Sequence, residues 1–240
     1  MTIIADSLQA IQANIIAAQR ASGRINHTLL LAVSKAQTAD NVRAAYLAGQ
    51  RAFGENYVQE AINKQAQLSD LAIEWHFIGP IQSNKTALIA QHFAWVHSVD
   101  RLKIAMRLNE ARPQNMAPLN VCIQINSSDE ISKSGVDIDS LAILALEIDK
   151  MPQLKLRGIM AIPAPTKDLA KQHAQFKIVA DAYKELQLQG FKLDTLSIGM
   201  SDDYVAAIAE GATIVRIGSA LFGARITTNE VNWMRQSKWN

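Results

Sequence analysis

A lysine that closes an apolar run is a candidate nucleophile, and this chain places one at Lys35, directly after Leu29-Leu30-Leu31-Ala32-Val33-Ser34. A run of that kind, without polar alternation, reads as a strand buried on both faces. Alternation puts Leu29, Leu31, Val33 and Lys35 on one face. With that face turned inward, the ammonium lies over an apolar floor, where desolvation lowers its pKa and frees the amine to attack a carbonyl. A solvated lysine that opens the next loop is the other reading, and this segment alone favours it. Arg216 is the second such residue. It shares a strand face with Ile214 and Gly218, and an inward guanidinium needs an acceptor. Either it pairs with an inward acid such as Glu55 or Asp100, or it donates to a ring nitrogen or carbonyl of a ligand. Ser201 and the pair Gly218-Ser219 stand where strands give way to helices, a place suited to phosphate. Ordinary N-capping by Ser201 and Ser219 is the alternative. Asp202 and Asp203 lean towards it, because carboxylates suit a helix N-terminus and repel an anion.

The elements that must carry these residues alternate along the chain. Helical spacing of Ile4, Leu8, Ile11 and Ile15 predicts an amphipathic helix over 3–21, closed near Gly23. Strands follow at about 29–35, 51–54, 74–79, 95–99, 119–126, 156–162, 195–200 and 213–218, each with a helical segment after it. One of those helices is expected to start at Ser201. Such alternation predicts a parallel sheet. Eight units exhaust the 240 residues, close to the ~250 of a (β/α)8 barrel. The expected architecture is therefore one TIM-barrel domain over 1–240 with an extra N-terminal helix. A doubly wound sheet is the alternative, but its glycine-rich first turn is missing at Ser34-Lys35-Ala36-Gln37. Function in a barrel belongs at the C-terminal ends of the strands, where Lys35, Ser201, Gly218 and Ser219 all fall.

Composition narrows the classes. Hydrophobic residues make up 49% of the chain, enough for a sizeable core, and the formal net charge is +2. No basic cluster marks a nucleic-acid or membrane surface. No secretory signal and no ~20-residue apolar span is visible, so a soluble, cytoplasmic protein is expected. The single cysteine, Cys122, lies in an apolar run and reads as core. His92 and His97 lack metal-ligand spacing, and no acid/histidine cluster supports a metal. Lys85, after Gln82-Ser83-Asn84, lacks the glycines of a phosphate loop. Lys133, in the polar loop 127–135, reads as a solvated lysine, with a contact for cofactor transfer or a partner as the other possibility.

A reactive amine, an anion cradle and a fixed cationic donor are together what pyridoxal 5′-phosphate (PLP) requires. An arginine at the pyridine nitrogen cannot accept a proton, so the ring would stay neutral and stabilise a carbanion only weakly. Longer motifs then carry a resemblance: Ala32-Val33-Ser34-Lys35, Phe53-Gly54-Glu55-Asn56-Tyr57-Val58-Gln59-Glu60, Trp75-His76-Phe77-Ile78-Gly79-Pro80-Ile81-Gln82-Ser83-Asn84-Lys85, Ser197-Ile198-Gly199-Met200-Ser201-Asp202-Asp203 and Val215-Arg216-Ile217-Gly218-Ser219-Ala220-Leu221-Phe222-Gly223-Ala224-Arg225.

On these motifs the whole chain resembles the pyridoxal-phosphate homeostasis protein family. The resemblance implies a barrel like the N-terminal domain of alanine racemase and a Schiff base between PLP and Lys35. It implies that Arg216 faces the pyridine nitrogen and that Ser201, Gly218 and Ser219 hold the phosphate. It places Asn56 and His76 near the ring. It implies a role in PLP supply and in amino and keto acid balance, with PLP-dependent apoenzymes as possible recipients and no robust turnover. A PLP-dependent racemase of weak or narrow activity is the alternative, and a Schiff-base aldolase without PLP a third. Two-base racemisation needs a second acid/base group on the far face of the cofactor. In alanine racemase a further C-terminal domain brings it across a dimer interface. A chain that runs only shortly past strand eight is expected to lack that domain and to be a monomer.

Overall fold

The computed structural model describes residues 3–24, 27–127 and 134–223. Lys133 and Arg225 lie outside them. The chain opens with α1 (Ile3–Ala21), whose apolar face buries Leu8, Ile11 and Ile15. Eight parallel strands follow: β1 (Leu29–Val33), β2 (Ala52–Glu55), β3 (Glu74–Phe77), β4 (Trp95–Val99), β5 (Leu119–Ile125), β6 (Leu154–Ala161), β7 (Thr195–Ser197) and β8 (Ile214–Ile217). They close in sequence order into a barrel, with Leu29 of β1 beside Ile214 of β8. That closure excludes the doubly wound sheet. The strands alternate with α2 (Ala39–Leu47), α3 (Val58–Gln67), α4 (Thr86–His92), α5 (Leu102–Ala111), α6 (Ile138–Asp149), α7 (Leu169–Leu188), α8 (Tyr204–Ala209) and the short α9 (Ser219–Phe222).

The two faces of β1 serve different cores. Leu30 and Ala32 pack into the large cluster beneath the helices. Leu31 joins Ala52 and Ile214 in a small cluster inside the barrel, with Leu29 packed against it. Trp95, Cys122 and Met160 form a second interior cluster. Cys122 is fully buried, and burial pushes its thiol well above the ordinary range, so it is core, as its apolar setting indicates. Several boundaries differ from the sequence expectation, β1 ending at Val33 and β3 at Phe77 rather than at 35 and 79. β7 stops at Ser197, and α8 begins at Tyr204 rather than Ser201. Between them Gly199 takes φ +91°, and the Asp203 carboxylate accepts from Met200 N at 2.6 Å, which makes a turn of residues expected to be strand and helix. Glu55, expected to open a helix, is instead the last residue of β2.

That shift of Glu55 matters, because it buries a carboxylate behind Lys35. Glu55 has no exposed surface, and Lys64 of α3 is 4% exposed. The Lys64 ammonium donates to Glu55 Oε1 and to Ser34 O, both at 2.6 Å, and lies 2.8 Å from Glu60 Oε1. Ser34 Oγ donates to the same Glu55 oxygen at 2.6 Å, and Ala36 N donates to Glu60 Oε1 at 2.7 Å. Ala36 has φ +59°, a left-handed conformation that costs a non-glycine residue about 1 kcal/mol or more. The residues on both sides of Lys35 are thus tied to one buried ion-pair cluster, which holds the turn where the chain alone would not. On the other side of β2, a Cβ at Gly79 would stand 2.2 Å from Asn56 O, so only glycine lets the β3 loop pass so close to Asn56.

Two outcomes follow. Lys64→Met leaves the Glu55 carboxylate buried and unpaired, and should cost about 3–5 kcal/mol in urea unfolding at neutral pH. Burial already raises the Glu55 pKa against the pull of Lys64. Removing Lys64 raises it further, so the folded variant binds a proton the unfolded chain does not, and its deficit should shrink as the pH falls towards 5. A deficit independent of pH would contradict the arrangement. Gly79→Ala should cost about 1–3 kcal/mol by the same measurement, because the clash is with backbone.

Candidate cofactor site

Lys35 lies two residues beyond β1, in the turn, and is partly exposed. It lines a small cleft together with Val33, Gln37, Gly218, Ser219 and Gly223. The ends of β1 and β8 meet there: a Cβ at Gly218 would stand 3.1 Å from Val33 O. The glycine therefore draws β8 against the strand that carries the lysine. Ser219 opens α9, and its Oγ lies 3.5 Å from Ser201 Oγ. The lysine, the glycine and both serines are thus brought to one edge of the barrel mouth. Ser201 belongs to the turn before α8 rather than to a helix, so capping no longer accounts for it. Asp203, whose carboxyl burial raises, is bonded back to Met200 N.

Arg216 is 4% exposed on β8, two residues before Gly218. One terminal nitrogen donates to Ser197 O at 2.6 Å and to Ser197 Oγ at 2.8 Å, and the other donates to Ala161 O at 2.9 Å. All three acceptors are neutral. Glu55 and Asp100, the acids that might have paired with it, are taken by Lys64 and Arg101. Burial pulls the guanidinium down to about 10, so it remains a cation at neutral pH. Among the described residues no carboxylate bonds to it, although the nearby Asp203 carboxylate favours its charge, and its plane is fixed against the barrel wall below the cleft.

Asn56 follows β2 at the same end of the barrel, and its buried Oδ1 has no hydrogen-bond partner. A buried acceptor without a donor is costly and points to a group from outside the chain. His76 lies inside the barrel on β3, fully buried, with Nε2 2.9 Å from Glu74 Oε1 and Nδ1 2.9 Å from His97 Nε2. Both ring nitrogens are engaged within the barrel.

Sequence reasoning missed His97, Ser197, Glu60 and Lys64. The parity of His97 with Trp95 on β4 was a signal for the first. The partners of Lys64 become visible only once α3 is packed on β2. Among the described residues no cluster of three histidines, cysteines or acids could hold a metal. A buried cation, a pair of adjacent hydroxyls, an orphan amide oxygen and a lysine share the mouth. That donor set suits a planar ring carrying a phosphate and an aldehyde.

The alanine racemase N-terminal domain model matches residues 7–226. The pyridoxal phosphate homeostasis protein of Pseudomonas aeruginosa is 58% identical over 226 residues, 94% of this chain and 97% of that protein. That of Escherichia coli is 50% identical over 229 residues, 94% and 98% of the two chains. Among solved structures, PipY of Synechococcus elongatus with PLP bound is 37% identical, with a TM-score of 0.82 over 92% of this chain and all of that one. Alanine racemase of Corynebacterium glutamicum shares the fold at 20% identity, with a TM-score of 0.67 over 91% of this chain and 61% of its own. The chain belongs to the pyridoxal phosphate homeostasis proteins, a family built on the alanine racemase N-terminal barrel.

Proposed function

We propose that this chain holds PLP at the mouth of the barrel, with Lys35 as a reversible covalent anchor, and so buffers the free cofactor and delivers it to PLP-dependent apoenzymes. The observation that carries the reading is the shared cleft of Lys35, Gly218 and Ser219 at the β1–β8 seam, with Ser201 adjoining it. PLP binding accords with the relatives: those at 50–58% identity are named for PLP homeostasis, and PipY has been solved with PLP bound.

When bound, the cofactor supplies an aldehyde that condenses with a primary amine. The remaining work falls to the residues of the chain. The turn fixed by Glu55, Glu60 and Lys64 presents the Lys35 amine at the mouth. Ser201 and Ser219 offer hydroxyl donors to the phosphate. Arg216, already bonded to Ser197 and Ala161, offers a fixed positive charge to the ring nitrogen and cannot take a proton from it. Asn56 Oδ1 offers an acceptor to a ring hydroxyl. The rim carries a partly exposed lysine and an exposed Ser219, an open setting that suits release of cofactor better than protected carbanion chemistry. The chain acts in this reading as a cytoplasmic monomer. Among the described residues no helix is long and apolar enough to cross a membrane.

PLP titration followed by visible absorption tests the reading. Lys35→Ala should stay folded and lose the lysine-linked absorption band, whereas a variant that keeps the band would overturn the anchor. Ser219→Glu sets a like charge in the phosphate cradle. It should weaken PLP by at least about tenfold and leave phosphate-free pyridoxal much less affected. Equal losses for both ligands would remove the phosphate from that edge.

A further inference from the structure

A continuous line of polar side chains crosses the barrel beneath the site. It runs from Arg216 through Ser197, His97 and His76 to Glu74, with successive separations of 2.8, 2.9, 2.9 and 2.9 Å. His76 and His97 have no exposed surface, and Ser197 none either. His76 stacks on Trp95 with 6° between the ring planes, which fixes its orientation. Glu74, at the N-terminal end of β3, is half exposed and is the only carboxylate among these five residues.

The proton positions along the line follow from its two ends. The Glu74 carboxyl is held below its usual range, first by its bond to His76, so it is ionised and only accepts. His76 Nε2 must therefore carry the proton. Burial holds both imidazoles neutral, so His76 Nδ1 is bare and accepts from His97 Nε2–H. His97 Nδ1 is then also bare and accepts from the Ser197 hydroxyl. Ser197 Oγ has spent its proton and accepts from the Arg216 guanidinium. Every donor meets one acceptor, and all bonds point the same way. The positive end is the buried cation below the cofactor cleft, and the negative end is a carboxylate at the opposite mouth. In the low dielectric of the interior, aligned bonds polarise one another.

We propose that His76, His97 and Ser197 are positioning residues for Arg216: a one-directional hydrogen-bond relay that orients the guanidinium and links it to Glu74 as its remote counter-charge. The inference rests on the reading that Arg216 faces the cofactor. It also gives His76 a role three hydrogen bonds behind Arg216.

Two measurements test it. The first uses the apoprotein with nitrogen-15 labelled histidine and needs no cofactor. Of the five histidines, the two assigned to His76 and His97 should be neutral Nε2–H tautomers and should not titrate between about pH 6 and 8. An Nδ1–H tautomer or a titration of either in that range would overturn the relay. The second is PLP titration of Ser197→Ala, which removes one bond and little volume. Affinity should fall by about tenfold while PLP still becomes fixed on Lys35. A folded Ser197→Ala with unchanged affinity would overturn the positioning role. If Ser197→Ala fails to fold, Glu74→Gln serves, since that residue is half exposed. It should weaken PLP several-fold from the far end of the barrel, and an unchanged affinity would be equally decisive against the proposal. A wild-type protein that takes up no PLP would overturn the functional reading instead, and would leave the tautomer result standing.

Discussion

The geometry of the mouth depends on one buried ion pair, Lys64 with Glu55, between α3 and the β1–β2 edge of the barrel. Two charges removed from water gain little net stability unless their remaining hydrogen-bonding capacity is filled. Here Ser34 bonds both charges and Glu60, shared with Ala36 N, bonds Lys64, while Glu55 Oε2 stays buried without a hydrogen-bond partner. The cluster therefore spends its bonds on the two residues that flank Lys35, and on a left-handed Ala36 that would otherwise relax. A lysine on a solvated loop would sample many rotamers and directions. This one leaves a backbone that is fixed on either side, which is what a reversible covalent anchor needs.

A second rigid support comes from within the barrel. The interior is apolar around Leu31, Ala52 and Ile214, but the sector from β3 to β8 carries a polar line ending on Arg216. Lys35, in the turn after β1, and Arg216, on the adjacent β8, are thus held by independent devices, one behind the barrel wall and one inside it. The small residue at Gly218 closes the seam between them. The mouth is thus braced from behind by the ion-pair cluster and from beneath by the polar line.

Much of this was legible in the sequence. The alternation of apolar runs and helical spacing specified eight strands and the barrel, and position at the C-terminal strand ends put Lys35 and Gly218 at one mouth, with Arg216 just below by strand parity. Where the reading slipped, local pattern met tertiary packing. Ile198-Gly199-Met200 looks like more strand, yet Gly199 and the Asp203 carboxylate bend it into a turn. Glu55 looks like the polar start of a helix, and only Lys64, nine residues on, makes its burial tolerable. His76 was placed near the ring by resemblance alone, and its pairing with His97 on β4, inside the barrel, left no signal in the sequence. Pairings between residues far apart in sequence leave no periodic trace in a single chain.

The most direct test of the account is borohydride reduction of the PLP-loaded protein followed by peptide mapping. The account predicts one fixed pyridoxyl group, on the peptide that contains Lys35, and none on Lys64, whose ammonium is buried in its ion pairs. A pyridoxyl group on another lysine, or a cofactor that reduction leaves free, would contradict it.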